Sequence, residues 1–208
     1  MKLDIINIKG EKTGRSVELS DDIFNIEPND HVIYLDVKRY LINQRQGTHK
    51  AKERNEVAGS TRKLRKQKGG GGARIGSIKS PVLRGGGRIF GPRPRTYDLK
   101  LNKKVRTLAR KSALSYKAKS NSLYIIEDFD LQTPKTKEFV NILSAINLSD
   151  TRSMLVINSK QDNIIKSARN LTNSQVITVS DINTYNLVNA NAVMLTESVV
   201  ATLNETLK

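Results

Sequence analysis

The sequence has no cysteine and only two histidines, and these absences exclude several classes of function. Without thiols, disulfide bonds and thiolate metal sites cannot form, and nothing points to an oxidising compartment. With His31 and His49 as the only imidazoles, we do not expect a histidine-rich metal site or a catalytic site that needs several histidines. No cofactor and no metal are therefore expected.

Long apolar runs are also lacking. No segment approaches the roughly 18 apolar residues of a membrane span. The N-terminal MKLDIINIKG alternates in polarity and carries Asp4, which is typical of a first strand and not of a signal peptide. We expect no membrane partner and a cytoplasmic protein. The chain of 208 residues carries a net charge of +16, and this charge favours nucleic acid as the polyanionic partner.

The positive charge is concentrated in one stretch, residues 44–95. This stretch carries 15 lysines and arginines against two glutamates, a net +13 that leaves +3 for the other 156 residues. It also holds 11 of the 13 glycines, and its apolar residues follow neither a helical nor a strand period, so it cannot form its own core. Its scattered apolar residues and single aromatic, Phe90, favour packing inside a large anionic partner over a disordered linker.

Residues 1–43 and 96–208 predict one globular α/β domain. Short apolar strands alternate with helices from residue 122 onward, which indicates a largely parallel sheet flanked by helices, a three-layer Rossmann-like domain with a long basic Gly-rich extended loop. In this half we expect strands at 123–126, 154–157, 176–179 and 192–195, and helices after Pro134 and at 162–171, 184–189 and 197–207. Near the N-terminus, a strand at 3–8, a turn framed by Gly10 and Gly14, and a partner at 16–20 predict a hairpin.

Two predicted helices flank the basic stretch. The first begins after the cap Asn29 and ends near Asn43, with one apolar face formed by Ile33, Val37, Tyr40 and Leu41. The second runs from the cap Asn102 to about Lys119, with an inner side formed by Leu101, Val105, Leu108 and Ser112. Cations recur on it every seven residues, at Lys103, Arg110 and Lys117 and at Lys104 and Lys111. This spacing predicts a cationic stripe away from the apolar face, and the alternative is an ordinary solvated helix surface.

The chain offers weak support for catalysis. Neither glycine cluster has the pattern of a phosphate-binding loop or follows an apolar strand. Glu127, Asp128 and Asp130 follow a strand, where an enzyme of this fold class would carry its chemistry, but they have no histidine, cysteine or glycine-loop partner. We expect no enzyme. The alternatives are a Rossmann-like enzyme that clamps nucleic acid with its basic stretch and a DNA-compacting protein.

Several segments of the chain carry a family resemblance. GTHKAKERNEV, RKQKGGGGARIGSIKSP and RGGGRIFGPRPRTY closely resemble the long loop of the bacterial large-subunit ribosomal protein four family. The flanking EPNDHVIYLDVKRYLINQRQGT and LNKKVRTLARKSALS match the same family pattern, and the motif match favours RNA over DNA.

The resemblance implies a structural constituent of the large ribosomal subunit. In such proteins an α/β domain lies on the solvent side, and the loop penetrates the 23S-type rRNA and lines a constriction of the peptide exit tunnel. The implied partners are this rRNA, other large-subunit proteins including protein twenty-two at the constriction, and the nascent peptide transiently. The family acts early in subunit assembly, some bacterial members repress their own operon, and the implied location is ribosome-bound in the cytoplasm.

The candidate site residues are cations of the stretch and of the helix that follows it. Lysine and arginine neutralise phosphates, and arginine can also stack on exposed bases. The predicted RNA contacts are Arg45, Lys50, Lys52, Arg54, Arg62, Lys63, Arg65, Lys66, Lys68, Arg74, Lys79, Arg84, Arg88, Arg93, Arg95, Lys103, Lys104, Arg106, Arg110 and Lys111. The predicted tunnel-lining loop tip is Arg62, Lys63, Leu64, Arg65, Lys66, Gln67 and Lys68.

Two positions near the tip depart from the family pattern. The family usually has tryptophan where this chain has Arg65, so ring stacking there is lost or replaced by guanidinium stacking. A usual arginine of the family is Gly72 in this chain. We expect RNA anchorage to survive both changes because many cations remain.

Overall fold

The computed structural model describes residues 1–207, and the chain divides into two compact units. The first unit is Met1–Tyr40 with the chain from Lys100 onward, and the second is Leu41–Leu99. The elements are β1 Lys2–Ile6, β2 Lys12–Glu18, α1 Asp21–Phe24, α2 Asp30–Asn43, α3 Lys103–Lys119, β3 Leu123–Ile126, α4 Thr136–Ala145, β4 Ser153–Ile157, α5 Asp162–Ala168, β5 Ser174–Thr178, a 3₁₀ turn Val179–Asp181, α6 Thr184–Asn189, β6 Ala192–Thr196 and α7 Glu197–Thr206.

The first unit is built on a six-stranded sheet with the order β2-β1-β3-β6-β4-β5. Only β1 and β2 pair in antiparallel fashion, and the other four pairings are parallel. The central strands β4 and β6 are buried along their whole length, as expected for parallel strands that are covered on both faces. The prediction of a mixed α/β domain with a largely parallel sheet is confirmed.

Alternate side chains of each central strand enter two different cores. Leu123 and Ile125 of β3 pack in the core that includes side chains of α1, α3, α6 and α7. Ile126 of the same strand packs in the other core, with Phe139 of α4 and Ile164 of α5. Each large apolar side chain that is fully buried in this way contributes about 1.5–3 kcal/mol. The period of two along the strands therefore distributes the helices over both faces of the sheet.

The turn of the N-terminal hairpin is shorter than predicted, because β2 begins at Lys12, and its two glycines have different roles. Gly10 lies in the turn at φ +83°, where a Cβ would come 2.8 Å from the carbonyl carbon of Ala145. The prediction that Gly14 also frames the turn is wrong, because Gly14 lies inside β2 at φ +71°. The register shifts there between Asp4 and Ile6, so Gly14 belongs to a bulge.

Helix α2 begins and ends where the sequence predicts. The Asn29 side chain accepts a hydrogen bond from the backbone N–H of Val32 at 3.1 Å, which confirms the predicted cap. The predicted apolar face is wrong, because Leu41 is exposed and Ile33, Val37 and Tyr40 are only half-buried. The one buried residue of α2 is Asp36. The most deeply buried contact of α2 is therefore polar, and a search for apolar periodicity does not detect it.

Helix α3 also packs through a different face from the predicted one. Leu108 is exposed, and Leu101 and Val105 are half-buried. Of the predicted inner side only Ser112 is buried, and the buried face is Ala109, Ser112, Ala113, Leu114, Ser115 and Ala118. Asn102 is the N-cap residue, but its side chain forms no capping bond. Small side chains let α3 approach its neighbours closely, so its inner face is not its most hydrophobic one.

Candidate nucleic-acid interface

The second unit presents almost all of its positive charge to solvent. From the end of α2 to the start of α3, the described chain has no helix or strand. Of the 15 predicted contact cations in residues 44–95, only Lys79 is half-buried, and the others are exposed. Exposed cations that are held close together concentrate a positive potential that attracts phosphate.

Backbone hydrogen bonds hold the two arms of this unit side by side. Arg95 donates to the carbonyl of Gly47 at 3.1 Å, and Ala51 donates to that of Pro92 at 3.0 Å. Farther from the base, Arg88 donates to Lys52 at 2.9 Å. Near the tip, the amide of Leu64 donates to Gly76 at 2.9 Å. The irregular segment is therefore a pair of arms joined by backbone hydrogen bonds, and these bonds fix the backbone positions from which the cations project.

The base of the arms is closed by a side chain and by an aromatic stack. Asn43 accepts a hydrogen bond from the Leu99 N–H at 2.9 Å and donates one to its carbonyl at 3.3 Å. The ring of Tyr97 lies 4.2 Å from the guanidinium carbon of Arg45 and 4.6 Å from that of Arg95. These two guanidinium groups, Arg95 foremost, lower the pKa of Tyr97. Two predicted RNA contacts therefore also organise the unit itself.

The two glutamates of the stretch form ion pairs within the unit. Glu53 pairs with Arg93, and Glu56 pairs with Lys50. Glu56 also accepts a hydrogen bond from the backbone N–H of Glu53 at 3.2 Å. The bond from Lys50, followed by this backbone bond, lowers the pKa of Glu56. Because each carboxylate has a cationic partner, neither offers an unneutralised negative charge that would repel phosphate.

The two glycine clusters of the stretch have different surroundings. A Cβ at Gly69, Gly70 or Gly71 would meet nothing within 4 Å. By contrast, a Cβ at Gly87 would lie 2.5 Å from the Cα of Arg54 on the opposite arm. In the second cluster, Gly87 is therefore required for packing of one arm against the other, whereas Gly85 meets nothing within 4 Å. The first three glycines of the first cluster leave their backbone open to a partner, as we expect of glycines that approach RNA.

The predicted loop tip is open to solvent throughout. Every residue from 61 to 74 is exposed, including Arg65 and Gly72, the two positions that depart from the family pattern. A Cβ on Gly72 would lie 3.0 Å from the Nη1 of Arg65, so these two residues are close together. Lys63 donates a hydrogen bond to Gln67 across the tip. The tip residues are therefore presented as a group, and their role in lining a tunnel stays a prediction.

The cations of α3 in the first unit form two groups with different exposure. Lys103 and Lys104 are exposed, whereas Arg106, Arg110 and Lys111 are half-buried. Burial lowers the pKa of Arg110. Lys117 of the predicted stripe is also half-buried and donates a hydrogen bond to the carbonyl of Ala190 at 2.6 Å. The prediction of a stripe that lies wholly away from the packed face is wrong, because its C-terminal part contributes to packing.

The acidic cluster after β3 is occupied by structural contacts. Glu127 pairs with Arg15 at 2.8 Å. Asp128 accepts hydrogen bonds from the backbone N–H and the hydroxyl of Ser198, so it caps α7 from outside that helix. Asp130 accepts a hydrogen bond from the N–H of Leu131 at 2.8 Å. Within residues 1–207, no group of three or more histidine, aspartate or glutamate side chains is arranged to hold a metal ion.

Phe90 stands out on the surface of the second unit and was not among the predicted RNA contacts. Its side chain is fully exposed, at 103%. The signal that could have identified it is its composition context, because it is the single aromatic residue in a stretch dominated by glycine and cations.

The fold and the candidate site define a mixed α/β protein with a second, strongly basic unit. Residues 17–206 match the model of the Ribosomal protein L4/L1 family. The large ribosomal subunit protein uL4 of Parabacteroides distasonis is 60% identical over 208 residues, covering 100% of both chains. That of Bacteroides fragilis is 58% identical over 198 residues and 95% of both chains, and that of Porphyromonas gingivalis is 56% identical over 208 residues and 100% of both. The chain belongs to the ribosomal protein L4/L1 family.

Membership confirms the family resemblance and the prediction that the chain is not an enzyme, because the family comprises structural components of the ribosome. The Rossmann-like enzyme considered as an alternative is thereby set aside. Among the helices of residues 1–207, none combines the length and apolar character that crossing a bilayer requires.

Proposed function

We propose that this protein is a structural constituent of the large ribosomal subunit that binds 23S-type rRNA through its second unit. The observation that carries the proposal is the exposure of 14 of the 15 cations in residues 44–95, together with the pairing of both glutamates there. Such a surface neutralises many phosphates at once. The names of the relatives, large ribosomal subunit protein uL4, identify the subunit.

In this proposal the glycine-rich stretch is an extended loop inside the rRNA, attached to a three-layer Rossmann-like domain. Residues 62–68 line the constriction of the peptide exit tunnel, next to protein twenty-two and in transient contact with the nascent peptide. Lys103 and Lys104 at the start of α3 supply a second phosphate contact, since both are exposed. The protein acts early in subunit assembly and is ribosome-bound in the cytoplasm. Repression of its own operon stays a prediction from the family resemblance alone.

Sedimentation of the tagged protein from cell lysate tests the proposal. We expect it to co-sediment with large subunits at moderate and at high salt, because a loop buried in RNA resists salt that removes a surface-bound cation. Ribonuclease treatment should release it. Recovery as a free protein contradicts the proposal. Recovery in a deoxyribonuclease-sensitive fraction also contradicts it and favours the DNA-compacting alternative.

A further inference from the structure

The fully exposed ring of Phe90 has no role in holding the protein together. At 103% exposure it contacts no other part of the folded chain, whereas Phe24 and Phe139 are each 1% exposed. A phenylalanine ring in water forfeits all of the free energy that burial provides. The position therefore offers an apolar, flat surface to something outside the chain.

The backbone around Phe90 is held so that the ring projects outward. Arg88 donates to Lys52 at 2.9 Å, and Ala51 donates to Pro92 at 3.0 Å. Residues 89–91 therefore form a bulge in one arm opposite the single peptide link between Ala51 and Lys52. A Cβ on Gly91 would lie 2.6 Å from the Cβ of Ala51, so the bulge already rests closely on the opposite arm.

The conformation of Phe90 is itself unusual. Its φ is +54°, in the left-handed region that glycine and asparagine tolerate and bulky side chains rarely adopt. A glycine at position 90 would relieve the backbone strain and remove the exposed ring, and glycine is common elsewhere in this stretch. Strained positions of this kind cluster at sites that clamp a ligand. Strain and exposure together point to a ring that is presented for contact.

The charges around the bulge identify the class of partner. The flanking Arg88 and Arg93 are exposed, and so is Arg84. The two glutamates of the opposite arm, Glu53 and Glu56, are paired with Arg93 and Lys50. An aromatic ring among cations that neutralise phosphates matches the surface of single-stranded nucleic acid, whose bases stack on aromatic side chains while the backbone contacts lysine and arginine. A ring in this setting fits an unpaired base better than an apolar protein surface.

We propose that Phe90 stacks on an unpaired base of the large-subunit rRNA. This inference rests on the proposed function and adds a specific contact to it. The cations supply the affinity for phosphate, which is the same along any RNA. The ring selects a place where a base is free of its helix, so it contributes to the position that the second unit takes in the folded RNA.

Binding of the full-length protein to purified large-subunit rRNA tests the inference. Phe90→Ala should weaken binding by about 5- to 150-fold, the range that one base–aromatic stack provides. Phe90→Leu should weaken it as well, because leucine is apolar but not aromatic, whereas Phe90→Trp should bind as tightly as the wild type. The control is Val82→Ala, which alters a side chain that is 91% exposed in the same unit and should change binding less than about twofold.

The salt dependence separates stacking from phosphate contact. Phe90→Ala removes no charge, so the slope of log K against log salt should be unchanged. Arg84→Ala should lower the magnitude of that slope by about 1, which corresponds to the loss of one phosphate contact. The chain has no tryptophan, so the indole of the Phe90→Trp variant reports on this position alone. Its fluorescence should be quenched when rRNA binds, and more strongly than that of a Val82→Trp variant.

Each other outcome overturns a defined claim. Absence of rRNA binding by the wild-type protein contradicts the proposed function. If the wild type binds while Phe90→Ala and Phe90→Leu bind equally well, the stacking contact is wrong and the proposed function stands. If the Phe90→Trp variant binds rRNA but its indole is quenched no more than that of Val82→Trp, the base-stacking inference is overturned.

Discussion

Replacement of Asp36 should destabilise the first unit more than replacement of any predicted apolar residue of α2. Asp36 is 3% exposed and accepts hydrogen bonds from the Thr184 hydroxyl at 2.6 Å and from the Arg39 Nε at 2.9 Å. The Thr184 bond joins α2 to α6, next to the stacked rings of Tyr40 and Tyr185, whose centroids are 4.9 Å apart. The carboxylate is thus the buried anchor of the helix.

The size of the effect follows from what Asp36→Ala leaves behind. Thr184 is fully buried, so its hydroxyl loses its partner without access to water. The Arg39 side chain retains 20% exposure and can be partly solvated. Breaking a buried ion pair costs about 3–5 kcal/mol, and the partial solvation of Arg39 places this case at about 3 kcal/mol. For a domain of this size, that free energy lowers Tm by about 6–12 °C.

Val37→Ala is the matched comparison on the same helix. Val37 belongs to the predicted apolar face but is only half-buried. Removing two methyl groups from full burial costs about 0.8 kcal/mol for each group, so half-burial should cost less than about 1 kcal/mol. Asp36→Asn keeps the size and one oxygen acceptor while it removes the charge, and its effect should be about 1–2 kcal/mol.

Urea unfolding of the full chain, followed by far-UV circular dichroism, measures these differences. The expected order of free-energy loss is Asp36→Ala, then Asp36→Asn, then Val37→Ala. A double-mutant cycle with Thr184→Val should give a coupling free energy of about 1 kcal/mol or more, because the two side chains are in contact. If Val37→Ala costs as much as Asp36→Ala, α2 is held by its apolar face and the polar-anchor explanation is refuted.

Three further predictions concern the second unit. Deletion of residues 60–74, which carry six cations, should leave the cooperative unfolding of the first unit intact, and loss of that transition would contradict this prediction. The same deletion should lower the salt slope of rRNA binding by about 0.7–0.9 for each lost phosphate contact. Gly87→Ala should speed hydrogen exchange of the amides that join the arms, since a Cβ there would come 2.5 Å from the opposite backbone. A Cβ at Gly70 has free space, so Gly70→Ala should leave these rates unchanged, and equal rates in the two variants would refute the packing argument. Lys50 lowers the pKa of Glu56. The contact therefore stabilises the turn at pH values above the ordinary glutamate pKa, and this stabilisation is lost as the pH falls through the lowered pKa. In Lys50→Met an NMR titration should show a higher pKa for Glu56, and an unchanged pKa would exclude this pairing.

Local patterns in the sequence were sufficient for most of the sheet. The strand at 123–126 and the helix at 184–189 have the predicted bounds, and the other predicted strands of this half lie within two residues of the observed ones. These strands are short apolar runs between turn residues, and β3, β4 and β6 are buried on both faces, so the pattern hardly depends on which helix covers them. The exception among the helices is α5, which ends at Ala168, before the predicted residue 171.

The helix faces could not be predicted because they depend on the neighbouring elements. The inner face of α3 consists mainly of alanine and serine, which a hydrophobic period does not detect. The Ser115 hydroxyl donates to the carbonyl of Ile23 at 3.1 Å, a partner 92 positions away in the chain. Asp128 caps α7 from a similar distance in sequence, 70 positions. No window of local sequence contains both members of such pairs.

The candidate site also has features that the sequence predicts and features that depend on the tertiary structure. Composition alone located the basic stretch at residues 44–95, because net charge and glycine content do not depend on how the chain folds. The tertiary structure decided which glycines pack between the arms, which cations take part in internal contacts and which ring is left exposed. Those properties depend on what lies opposite each residue across the two arms. The sequence therefore determined the chemistry of the surface, and only the fold decided which side chains a partner can reach.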